Sequence, residues 1–138
     1  MREVKGFMLD GNNDDYFWFS GMFTLLRMNI KTGEVESFSS HFKDFPHFRS
    51  IKQNPKDYNH IVVTSMQAGD PEKDWFLAES RDGGKTWNTV PRIWGSQSRM
   101  ILFPDHLDYA IIGTMGGLMI YRYKDFWKYQ DSMHLYAP

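Results

Sequence analysis

The stretch of the chain whose residue types most clearly do something is Ser80-Arg81-Asp82-Gly83-Gly84-Lys85-Thr86-Trp87. Ser80 and Asp82 carry short side-chain oxygens that can accept backbone N–H groups inside a tight turn, and Gly84 can take a conformation closed to other residues. Thr86 then resumes a strand, and Trp87 buries its ring beside the hairpin. That chemistry holds a turn together and reacts with nothing. Gly84-Lys85-Thr86 also resembles the end of a phosphate-binding loop. The full pattern, however, needs Gly where Glu79 stands and a helix afterwards, whereas residues 87–91 read as strand.

Two further groups could hold a metal. Asp10-Gly11-Asn12-Asn13-Asp14-Asp15 places oxygen ligands at alternate positions, as a calcium loop does, but its sixth position is Asp15 instead of Gly and its twelfth is Gly21 instead of Glu. An EF-hand is excluded and a solvated turn is expected. The histidines at 41, 47, 60, 106 and 134 show no ligand spacing, so surface or packing roles are expected of them. No metal or other cofactor is expected.

The elements that must position these residues are strands. Short apolar or alternating runs recur between Gly, Pro, Asn and Asp, predicting strands over 3–9, 15–20, 22–30, 34–39, 47–52, 60–66, 75–80, 86–90, 99–103, 109–115, 117–123 and 126–130. Twelve strands make three sets of four. Lys31-Thr32-Gly33-Glu34 and Asp82-Gly83-Gly84 supply glycine where a hairpin needs positive φ. The aromatic share of 17% agrees with a strand-rich chain, because flat rings fit a pleated, half-buried surface.

The chain also repeats itself. The segment from Ile51 through Pro55 to Thr64 matches the segment from Ile101 through Pro104 to Thr114: a strand, a Pro-containing turn, and an apolar strand ending in small residues. Each is followed by an aromatic-bearing hairpin closing on Trp87 or Trp127, so the period is about 40 to 50 residues, that of propeller blades. The expected fold is one all-β domain over 1–138, propeller-like, with about three four-stranded antiparallel blades over 1–40, 41–90 and 91–138. A compact β-sandwich is the alternative.

Residues 80–87 resemble the Asp-box, Ser-x-Asp-x-Gly-x-Thr-Trp, with Ser80, Asp82, Gly84, Thr86 and Trp87 filling all five defined positions. The chain is thereby similar to the Asp-box (BNR-repeat) propellers, which include sialidases, sortilin-like receptors and photosystem-assembly factors. The resemblance covers 47–130 well and 1–46 loosely, and the copy at Tyr121 to Trp127 has Arg122 and Lys124 at the Asp and Gly positions. It implies that the box lies on the hairpin between the third and fourth strands of a blade and is structural. A sialidase would further need an arginine cluster, an Asp acid/base, a Tyr nucleophile paired with Glu and a Phe/Tyr-Arg-Ile-Pro motif. Phe48-Arg49-Ser50-Ile51 and Pro91-Arg92-Ile93 match that motif only superficially. The expectation is a non-catalytic member with no catalytic residues.

A net charge of -1 with mixed signs provides no basic stripe for nucleic acid or an anionic membrane. There is no Cys and no apolar run of the roughly 20 residues that span a bilayer. The sequence reads as soluble and carries no Sec-type signal, which leaves room for a setting such as a virus particle. The contact surface is expected on the blade face opposite the Asp-box, in the loops 41–46, 67–74 and 91–98, with His41, Asp70, Arg92, Trp94 and Gln97 as candidate binding residues. Three blades do not close a ring, since propellers close with about four to eight. The terminal blades are therefore expected to expose Phe17, Phe19, Ile111, Ile112 and Tyr121, and to be covered by a second copy or another protein chain. Glycan binding through stacked aromatic rings is the alternative function.

Overall fold

The structure, a computed structural model, describes residues 4–42, 47–65, 75–91, 98–114, 117–123 and 133–136. They form twelve strands in three four-stranded sheets: β1 (Val4–Leu9), β2 (Tyr16–Gly21), β3 (Thr24–Asn29) and β4 (Val35–Ser37); β5 (Phe48–Asn54), β6 (Asp57–Ser65), β7 (Trp75–Ser80) and β8 (Asn88–Pro91); β9 (Ser98–Leu102), β10 (Ala110–Thr114), β11 (Gly117–Tyr121) and β12 (Met133–Tyr136). Within each sheet the strands pair in chain order and antiparallel. This is the meander of a propeller blade repeated three times.

The sheets stack through their first strands. β5 packs against β1 and β2, and β9 packs in the same relation against β5 and β6. The middle sheet is therefore covered on both faces, which is why β6 carries the continuous apolar run Ile61-Val62-Val63, all buried, instead of alternating with polar residues. Ile61, Val63 and Ala78 join Trp18, Leu25, Phe38, Phe42, Phe48 and Ile51 in a core between the first two sheets. Val62 and Leu77 point the other way, into a core with Ile101, Phe103, Ala110, Ile112, Met119, Tyr121 and Tyr123. Three layers with two cores replace the single core of the compact sandwich, so that alternative is set aside.

Three expectations need correction. Strand β8 starts at Asn88 and not at Thr86, because the Thr86 amide and hydroxyl are both bonded to Asp82 and cannot enter the ladder. The strand expected over 34–39 stops at Ser37 and passes into a 3-10 turn at Ser39–His41, where Ser39 Oγ accepts the Leu25 N–H and the Phe38 N–H reaches the Leu25 carbonyl. Ile112 and Tyr121 are fully buried in the second core, since strand alternation turns them inward and leaves Ile111 and Ile120 outward. The strand expected over 126–130, with Trp127, lies outside the described residues; the strand described beside β11 is β12.

Candidate functional site

The turn between β7 and β8 satisfies itself. Ser80 Oγ accepts the Gly84 N–H at 2.8 Å and donates to Asp82 Oδ1 at 2.9 Å, while Asp82 Oδ1 accepts the Thr86 N–H at 2.9 Å and Oδ2 the Thr86 hydroxyl at 2.5 Å. Trp87 Nε1 donates to the Gly84 carbonyl at 2.9 Å, and its ring packs beside Phe42. Gly84 has φ +99°, and a Cβ there would stand 2.7 Å from Trp18 and 3.1 Å from Phe38. The position needs glycine both for its backbone and because the turn presses against the first sheet. Partial burial alone would raise the Asp82 carboxyl. The hydrogen bonds from the Thr86 hydroxyl, the Thr86 amide and Ser80 outweigh it and hold the group below the usual carboxylate range.

Asp10 is not the solvated turn residue expected of the 10–15 segment. It is buried, accepting Trp18 Nε1 at 3.1 Å, the Asn12 N–H at 2.9 Å and Gln53 Nε2 at 3.1 Å, with an Arg27 guanidinium nitrogen 3.6 Å away. Gln53 belongs to β5, so this carboxylate ties the first sheet to the second. Among the described residues no three His, Asp or Glu side chains converge as a metal site would require.

Between these two turns runs a cleft of about 920 Å³, lined on one side by Asn12, Tyr16, Arg27 and His41 and on the other by Asn59, Arg81 and Lys85. Arg27 lies over the Tyr16 ring, 4.7 Å from its centroid, and bonds Glu36 at 2.8 Å. His41 stacks on Phe38 and shares this cleft with Asp82 and Gly84, so it does not lie on a surface apart from the Asp82 turn. Asp70, Arg92, Trp94 and Gln97 lie outside the described residues.

A second polar group, between sheets two and three, has no counterpart in the sequence reading. Glu79 is fully buried and accepts hydrogen bonds from the Tyr121 hydroxyl and Arg81 Nε. Buried His60 lies beside it, with Asn54 Nδ2 3.2 Å from His60 Nδ1 and His60 Nε2 3.6 Å from Glu79 Oε2. Burial pushes the Tyr121 phenol far above its ordinary value, and the adjacent Glu79 charge adds to the effect. The available signal was alternation, which puts Glu79 on the same inward face as Leu77.

The fold matches solved propellers. An ancestral GH74 enzyme superposes with a TM-score of 0.68 at 14% identity, over 86% of this chain and 17% of the enzyme. YCF48 from Cyanidioschyzon merolae superposes with a TM-score of 0.61, also at 14% identity, over 85% of this chain and 36% of that protein. Both are β-propeller proteins, and the likeness defines a propeller-type fold for this chain. The chain spans about a sixth and about a third of their lengths. No family model and no curated protein matches the sequence. No described helix is long and apolar enough to cross a membrane.

Proposed function

We propose that this chain is a non-catalytic, Asp-box-type propeller module that works by binding protein, as one part of a larger assembly such as a virus particle. The observation that carries the reading is the pair of open end faces. The outer face of the first sheet presents Phe7 and Leu9, 67% and 61% exposed, beside half-buried Phe17 and Phe19. The outer face of the third presents Met100, Leu102 and Leu118, 70%, 59% and 52% exposed, beside half-buried Ile111 and Ile120. Apolar surface this concentrated marks a contact surface.

The non-catalytic reading is supported by the chemistry of the candidate groups. Asp82 is fully engaged within its own turn. Tyr121 does sit beside a glutamate, as a sialidase nucleophile would, but it is sealed in a core and held protonated, the reverse of what nucleophilic attack requires.

The test is peroxide footprinting at Met100, with Met119 on the buried face of the same sheet as internal reference. Met100 should be protected, relative to the urea-unfolded chain, in extract from the native source. Oxidation of Met100 at the unfolded rate, both there and in concentrated purified protein, would refute the reading.

The cleft between the first two sheets favours a second reading, glycan binding, because Tyr16 and His41 offer ring faces and Asn12 and Asn59 offer amides. It ranks below the first because Asn12 bonds Asn59 and Arg27 is held by Glu36, which leaves few free polar groups to meet a sugar. A glycan array decides it: a hit abolished by Tyr16→Ala supports this reading and a silent array removes it.

A further inference from the structure

The two open faces are the two halves of one contact that the chain already makes twice. In both internal contacts the first strand of a sheet lies on the first and second strands of the sheet before it: β5 on β1 and β2, β9 on β5 and β6. The same step continued once more would lay a first strand on the outer side of β9 and β10, which presents Met100, Leu102 and Ile111. Continued backwards, it would place the outer side of β1, with Phe7 and Leu9, on a preceding sheet. One end thus offers the lower half of the repeating contact and the other end the upper half.

Building on the protein-binding reading above, we infer that the occupant of each open face is a second copy of this chain, docked head to tail, with β1 of one copy on β9 and β10 of the other. Two copies of three sheets give six, inside the range of roughly four to eight blades in which propellers close. Three copies would give nine, beyond it. Closure by two copies repeats the contact on both sides and leaves no apolar face open. It joins unlike faces, sheet one to sheet three, and never a face to itself.

The experiment is sedimentation velocity on purified full chain with two single-face variants, Leu9→Lys on the first sheet and Leu102→Glu on the third. Both positions are more than half exposed in the single chain, so a charge there is solvated and the fold is retained; circular dichroism checks this, and Met100→Glu replaces Leu102→Glu if needed. Wild-type chain should sediment at twice the 16.3 kDa chain mass. Each variant alone should run as monomer, since each damages both contacts of the ring. An equimolar mixture should recover the dimer, because one contact is then wild type on both sides and the other pairs Lys with Glu. Dimers persisting in one variant alone would show like-face pairing and overturn the inference. A monomeric wild type would also overturn it, while the protein-binding reading would stand if Met100 is still protected in the native extract.

Discussion

Asp82 holds its turn through partners that all lie within four residues of it, so residue types and spacing were enough to read it. Replacing Asp82 with Ala removes the bonds to the Thr86 amide and hydroxyl and to Ser80, and should lower unfolding free energy by on the order of 1 to 3 kcal/mol in denaturant titration. Loss of a partner's binding without any loss of stability would contradict a purely structural role. The folded carboxyl titrates below its unfolded value near 3.8. Its contribution is therefore present above about pH 4 and lost as pH falls through the lower, folded value. The wild-type minus Asp82→Ala stability difference should shrink across that range, and a difference independent of pH would count against the hydrogen bonds described. Gly84→Ala should cost more than an ordinary surface change, because the new methyl meets Trp18 while the backbone is held at positive φ. Asp10 could not be read in the same way: Gln53 lies 43 residues away, and nothing local in Asp10–Asp15 distinguishes a solvated turn from an anchor between sheets.

At the scale of elements, the strands and their order followed from short apolar or alternating runs between turn residues. Their ends did not, because side-chain bonds fixed them: Thr86 delays β8 and Ser39 ends the strand that Val35 begins. The Glu79 network was hidden for the opposite reason. Alternation puts Glu79 on the face of Leu77, but its partner Tyr121 lies 42 residues away in another sheet. Burial of Tyr121 raises its phenol, so its contribution to stability is complete below the ordinary tyrosine value of about 10 and is lost as pH rises above it, when the unfolded chain can ionise. Spectrophotometric titration of the seven tyrosines should show one that ionises only with unfolding, absent in Tyr121→Phe. Its titration within the folded protein would contradict the burial described. Glu79→Gln and Tyr121→Phe should also couple by about 0.5 to 3 kcal/mol in a double-mutant cycle.

At the scale of the molecule, each sheet is a blade that cannot bury both faces by itself. The chain solves this for the middle blade and leaves one face of each end blade open. Open ends were legible in the sequence, but Ile112 and Tyr121 do not belong to them: adjacent Ile111 and Ile112 were both expected outward, and alternation turns only one of such a pair that way. Phe7, Leu9, Met100 and Leu102 carry the exposure. Whether a second copy of the chain covers these ends is decided by light scattering on purified wild-type chain across a dilution series. The expected result is a concentration-dependent mass that approaches twice 16.3 kDa at high concentration. A monodisperse 16.3 kDa species at every concentration, unfolding in one cooperative step, would contradict it.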